Sequence, residues 1–243
     1  MSVLLSAFAT LVEQLAELLQ PLFHASAAAA AIVLFTAFVR LLVLPLSRAA
    51  ARGQRVRTAL QPKIAELRKK HGRNPERLRT ALLELHAKEK VSPLAGILPS
   101  LCQIPAFFLL YHLFSSSTIG GESNDLLTHS LFAAPLGDRW GDALGDGGVF
   151  GAAGLVYLGL FVIVAVVAVF NYTRTKRAFT ASAGATAPAG GGDQLPGLAT
   201  ATKVMPFMSF LTLVTVAVVP LAAALYMVTS TTWSAVERML LYP

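Results

Sequence analysis

Apolar residues in this chain fall into long runs separated by short charged stretches. The first run, 25–46 (ASAAAAAIVLFTAFVRLLVLPL), rises about 1.5 Å per residue as a helix and matches a hydrocarbon core of roughly 30 Å. A second covers 94–114. It contains Pro99 and Pro105, which membrane helices tolerate, and Pro93 just ahead of it suits a first helical turn. The third, 149–170, carries no charge. The last apolar stretch, 204–236, would measure roughly 50 Å as one helix and overshoot a bilayer. Pro220 at its midpoint divides it into two short helices, 204–219 and 220–238. The pattern predicts an all-α polytopic membrane protein with five transmembrane helices.

Residues 1–23 follow a different pattern. Leu11, Leu15, Leu18 and Leu22 oppose Glu13, Gln14, Glu17 and Gln20, which predicts an amphipathic helix closed by Pro21. Two carboxylates argue against a crossing, so the helix is expected to lie on the membrane surface. Arg40 is the first Lys or Arg of the chain, so the charged start of a secretory signal is missing and none is expected.

The polar segments set the orientation. Residues 47–92 hold thirteen Lys/Arg against four Glu, a net of +9. Residues 115–148 hold five acids against Arg139 alone, a net of −4. Basic excess returns in 171–203, with Arg174, Lys176, Arg177 and Lys203 against Asp193. This alternation suits five crossings with the N-terminus outside and both the basic loops and the C-terminus in the cytoplasm.

Within 47–92, Leu60, Ile64 and Leu67 form one helical stripe and Leu78, Leu82 and Leu85 another, predicting a cytoplasmic helical hairpin. His71-Gly72 supplies the stop, and Asn74-Pro75-Glu76 reads as N-cap, first-turn proline and dipole-facing acid. Residues 181–202, rich in Ala, Gly, Pro and Thr, read as a flexible linker. The 115–148 segment is expected to hold only a short helix near 126–132.

Composition agrees: 55% of the 243 residues are hydrophobic and 14% charged, and the mean hydropathy is positive. The single cysteine, Cys102, excludes an internal disulfide or multi-cysteine metal site, and no lipid anchor is expected. The five histidines are scattered without metal-ligand spacing or a Ser/His/Asp grouping, so an enzyme is the poorest fit.

One residue in the first run needs a reason. Arg40 is a permanently charged guanidinium whose placement inside a span costs at least roughly 2.5–3.5 kcal/mol. It marks a functional site or it snorkels to the headgroups, since the run ends at Leu46. Thr36 lies one turn earlier on the same face.

The stretch 39–114 closely resembles the YidC/Oxa/Alb membrane protein insertases. The landmarks are Arg40 with Leu44-Pro45-Leu46, Leu60-Gln61-Pro62, Lys70-His71-Gly72 and Asn74-Pro75. They continue with Ser92–Gly96, Pro99, Gln103, Pro105 and Tyr111. Met205-Pro206-Phe207-Met208 and Pro220, Leu225-Tyr226 and Ser230 resemble that family's last two helices.

The resemblance implies a cofactor-free protein of the bacterial plasma membrane that receives nascent membrane proteins and releases them sideways into lipid. Arg40 would face a hydrophilic groove, closed on the outer side, that Thr36, Gln103, Asn171, Tyr226, Ser230 and Thr231 are placed to line. The hairpin cations Arg55, Arg57, Lys63, Arg68, Lys69, Lys70, Arg73, Arg77 and Arg79 would meet lipid headgroups or ribosomal RNA phosphates. The Sec translocon is a further expected partner. Ile97, Met227 and Glu237 depart from the family pattern, and tail-mediated ribosome binding is not expected, as no long basic stretch follows Arg238. The rival reading is a small-solute transporter or channel using Arg40 as an anion site, but no internal repeat supports it.

Overall fold

The computed structural model describes residues 2–71, 74–88, 98–119, 121–186 and 204–241. Helices make up most of it: α1 (Ser2–Phe23), α2 (Ala27–His71), α3 (Pro75–Lys88), α4 (Leu98–Ser115), α5 (Trp140–Gly145), α6 (Ala152–Thr186), α7 (Leu211–Val218) and α8 (Leu221–Leu241). Between α4 and α5 lie two antiparallel strand pairs, Thr118–Ile119 with Glu122–Ser123 and Ser130–Leu131 with Ala134–Pro135, around a 3₁₀ turn at Asp125–Thr128.

The first expected boundary is not a break. Helix α2 runs unbroken for 45 residues through Pro45 and Pro62, roughly 68 Å, about twice a hydrocarbon core. Residues 47–71 are dominated by Ala, Arg, Leu, Lys and Gln, strong helix formers, so the helix outlives its apolar part. It stops at His71 as its sequence implies. Beyond it, the Asn74 side chain accepts a hydrogen bond from the Arg77 N–H (3.1 Å), capping α3.

Helix α6 likewise overruns its apolar run and reaches Thr186, so the start of the expected linker at 181–202 is helical; 187–203 lie outside the described residues. The expected helix at 204–219 is instead a 3₁₀ segment, Met205–Phe210, followed by the eight-residue α7. In place of a helix at 126–132, the 116–151 loop has the 3₁₀ turn, the strand pairs and α5.

Among the described residues, two helical stretches, Leu5–His71 and Ala152–Arg177, are long and apolar enough to cross a membrane. Much of the apolar surface faces outward: Leu34, Phe38, Leu41 and Leu42 on α2, and Leu155, Val162 and Val166 on α6, are exposed. Such a surface suits lipid rather than water.

Inside the bundle, α1 packs on α2, α2 on α8, and α8 also on α4 and α6. The buried face of α1 is Leu5, Ala9, Val12 and Ala16, while Leu11, Leu18 and Leu22 of the expected apolar stripe point outward. Small residues allow helix backbones to approach closely, and where the surroundings are apolar the bulky leucines have no reason to turn inward.

The 116–151 loop closes one end of the bundle. Helix α8 begins with N–H groups that have no partner within the helix. Leu221 N–H donates to the Asp138 carbonyl (2.8 Å) and Ala222 N–H to the Leu136 carbonyl (2.9 Å). Tyr157 Oη on α6 donates to the same Asp138 carbonyl (2.6 Å), tying loop, α6 and α8 together. Asn124 Nδ2 donates to the carbonyls of Leu113 (2.8 Å) and Ser116 (2.9 Å), satisfying the end of α4. Leu221 to Ala224 are fully buried as a result. Partial burial, then Asp142 and Asp146, raises the Asp138 carboxyl above the usual carboxylate range.

Gly154 shows how tightly α6 enters this end. A Cβ there would lie 2.4 Å from the Gly148 carbonyl oxygen and 2.5 Å from that of Val149. Both are backbone atoms that cannot rotate away. Gly154→Ala is expected to cost roughly 1–3 kcal/mol, read as a lowered unfolding midpoint of the purified chain in detergent; an unchanged midpoint would mean that the loop moves freely.

Candidate functional site: a polar seam between α2 and α8

Arg40 lies on α2, half-buried, thirteen residues after the helix begins at Ala27. Its Nη2 donates to Ser230 Oγ on α8. Further along both helices, Arg55 Nη2 donates to the Leu241 carbonyl (2.8 Å), so α2 and α8 run parallel with their contacts in step. Among the described residues no carboxylate pairs with Arg40. Ser230 is its direct partner, and Glu237 further along the same face of α8 acts favourably on its charge from beyond ion-pair distance.

The remaining candidates divide by geometry. Thr36 is 1% exposed, and its hydroxyl donates to the Ile32 carbonyl one turn back (2.7 Å), so its proton is used within α2. Tyr226 is buried one turn before Ser230, with its ring 5.9 Å from both Phe107 and Phe114 of α4. Thr231 is a neighbour of Ser230 in sequence but lies about 100° around the helix, and its hydroxyl donates to the Met227 carbonyl (2.8 Å). Asn171 is elsewhere: its Oδ1 accepts from Arg238 Nη1 (3.3 Å), and the Arg238 carbonyl accepts from Arg174 Nη1 (2.9 Å). The seam therefore joins Arg40, Ser230 and Tyr226, with Thr36 one turn before Arg40 but bonded within α2, while Asn171 links α6 to the far end of α8. Gln103 lies on α4, but its side chain is outside the described residues.

Of the hairpin cations, Arg55 is held by α8, and Lys63, Lys69 and Lys70 on α2 and Arg77 and Arg79 on α3 are exposed. Arg73, and the side chains of Arg57 and Arg68, lie outside the described residues.

A polar seam between apolar helices fits many membrane proteins, and comparison with known sequences narrows the choice. The chain matches the 60Kd inner membrane protein family over residues 19–243. It belongs to that family. It is also 40% identical over 87 residues to the membrane protein insertase YidC of Clostridium perfringens, covering 36% of this chain and 37% of that one. A YidC from Magnetococcus marinus is 44% identical over 81 residues, covering 33% of this chain and 15% of that protein. One from Maricaulis maris is 42% identical over 81 residues, covering 33% and 14%. The matched stretch thus spans little more than a third of the first relative and far less of the others.

This family member carries seam residues that sequence reasoning missed as a group. Tyr226, Ser230, Trp233 and Glu237 follow one another at spacings of four, three and four, a single face of α8. Among the described residues, Trp233 Nε1 and Glu237 Oε1 are buried without a protein hydrogen-bond partner. The i, i+4, i+7, i+11 spacing carried the signal, but Trp233 drew no reading and Glu237 was noted only as a departure from the family pattern.

The seam makes a specific demand. Ser230→Val removes the acceptor of a permanently charged donor and is expected to destabilise the chain by roughly 1–2 kcal/mol, whereas Ser230→Thr retains the oxygen and most of the stability. Thermal unfolding in micelles distinguishes them; equal loss in both variants would make packing, not the hydrogen bond, the cause.

Proposed function

We propose that this chain is a membrane protein insertase that works in a bacterial inner membrane. Family membership and likeness to proteins named as insertases support the reading, and Arg40 carries it: a costly charge within an apolar run, bonded across to Ser230 of a polar seam. In this reading five segments cross the membrane: 25–46, 94–114, 149–170, 204–219 and 220–238. The N-terminus is outside, the basic segments are cytoplasmic, and α1 lies along the outer interface. The net charges of +9 for 47–92 and −4 for 115–148 support that orientation.

A segment crossing the bilayer must bring polar groups through hydrocarbon, where each unsatisfied backbone group costs several kcal/mol. A polar seam reaching partway into the bilayer shortens that barrier. Arg40 attracts acidic or polar residues of a short translocated tail, and low dielectric strengthens the attraction. The loop-capped end of α8 supports closure on the outer side, and the apolar flanks let hydrophobic segments leave into lipid. The short α7 favours local thinning. No bond is made or broken, so the protein acts as a chaperone for insertion.

The decisive experiment is reconstituted insertion of single-span substrates with acidic N-terminal tails. Arg40→Ala is expected to lower insertion severalfold and Arg40→Lys to retain most of it, because a point charge suffices for attraction. Full activity in Arg40→Ala would overturn the role of the charge, and solute uptake without insertion would favour a transporter instead.

The exposed cations of α2 and α3 are proposed to receive ribosomes through RNA phosphates, with the Sec translocon a further partner. Ribosome co-sedimentation is then expected to fall steeply between low and moderate salt. Salt-independent co-sedimentation would count against phosphate contacts.

A further inference from the structure

Beyond the apolar part of α2, a cavity of about 410 Å³ is lined by Pro45, Arg48, Ala51, Arg52, Arg55 and Leu241. Arg48, Arg52 and Arg55 are spaced by four and three and so share one helix face. Among the described residues, none that lines the cavity is acidic. Arg55 is fixed by its bond to the Leu241 carbonyl, and it also faces the negative end of the α8 dipole. Among the described residues, neither Arg48 nor Arg52 forms a hydrogen bond or ion pair with the protein. The cradle therefore holds one pinned and two available guanidiniums, each a planar fork matched to phosphate oxygens.

What lies beside the cradle identifies the ligand. About two turns toward the chain start, on the same face of α2 as the three arginines, Leu41 is exposed, and near the end of α8 Met239 and Leu240 are exposed. A free phosphate or an RNA strand gains nothing from these apolar side chains. A phospholipid uses both surfaces, with its phosphate between the arginines and its acyl chains along the leucines. Three cations with no acid among the described lining residues suit a headgroup with net negative charge over a zwitterion.

We propose that Arg48, Arg52 and Arg55, with the adjoining apolar wall of α2 and α8, form a binding site for the phosphate of an anionic phospholipid. The site rests on the reading that α2 leaves the membrane near Leu46. It ties the end of α8, and through it the seam at Ser230, to the lipid composition of one leaflet.

The test is native mass spectrometry of the full chain in detergent with phosphatidylglycerol or phosphatidylcholine, with no substrate protein present. Wild type is expected to retain phosphatidylglycerol preferentially, and R48Q/R52Q to bind it roughly tenfold more weakly. A K69Q/K70Q control, which removes equal charge elsewhere on α2, is expected to keep the preference. Circular dichroism on each variant confirms the fold. Equal binding by R48Q/R52Q and wild type would overturn the site, as would an equal loss in the control. Displacement of the lipid by millimolar inorganic phosphate, or by an RNA hairpin, would assign the cradle to those ligands instead. Because binding is read without insertion, a chain that binds the lipid yet inserts nothing would leave this site standing while the insertase reading fails.

Discussion

A guanidinium in an apolar helix constrains everything around it. Arginine cannot escape by losing its proton, and burying it unpartnered in hydrocarbon is costly. The structure answers with a helix at the right depth and register: Ser230 of α8 accepts from Arg40. That bond requires α8 to stand at a defined height beside α2, and the second contact, from Arg55 to the Leu241 carbonyl, makes the two helices parallel. The height is set at the other end, where the loop carbonyls of Leu136 and Asp138 take the first N–H groups of α8. Loop and seam are thus two ends of one positioned rod, with Tyr157 bracing the loop end from α6.

Parallel neighbours explain the loop as well. Two consecutive antiparallel helices need only a tight turn, but the N-terminus of α8 arrives after the short α7 and a break at Pro220. Proline there cannot donate, and the donors that follow it need acceptors from outside the helix. The 116–151 segment supplies them with main-chain carbonyls, so its many Gly, Asp and Ser residues shape backbone rather than present side chains. Its low hydrophobicity therefore says little about how buried its interior is: Leu126, Ala134 and Leu136 are almost fully enclosed.

Several features were legible from residue order alone, and the others failed for identifiable reasons. Helices where apolar runs predicted them, the stop at His71 and the Asn74 cap follow from local chemistry, which needs no partner to be read. The sequence placed α1 on the membrane surface and named no face for packing on the bundle, which hydropathy alone does not choose. With apolar surroundings the contact face is chosen by shape, and Ala9 and Ala16 pack where Leu18 and Leu22 do not. The apolar runs mark expected spans and not helix ends: helix propensity continues where hydropathy changes, so α2 runs on beyond Leu46 and α6 beyond Phe170. For the site, Arg40 announced itself by its charge, and Ser230 and Tyr226 by polarity in an apolar helix. Their separation from Asn171 is a tertiary fact: Arg238 claims Asn171, and no spacing along the chain foretells that.

The Trp233 and Glu237 atoms that end the polar stripe sharpen how such a seam can work. A fully satisfied polar network is rigid and closed to newcomers, because a visiting group has to break an existing bond for each one it makes. Here the proton of Thr36 and that of Thr231 are already spent on their own helices, whereas Trp233 Nε1 and Glu237 Oε1 retain hydrogen-bonding capacity. One is a donor and the other an acceptor, so a passing backbone, which carries both an N–H and a C=O, finds a match for each. On the proposed insertase reading, the charge at Arg40 would favour acidic tails, while the stripe beneath it would be indifferent to sequence. That reading divides the work between one fixed charge for direction and unspecific hydrogen-bonding capacity along the path.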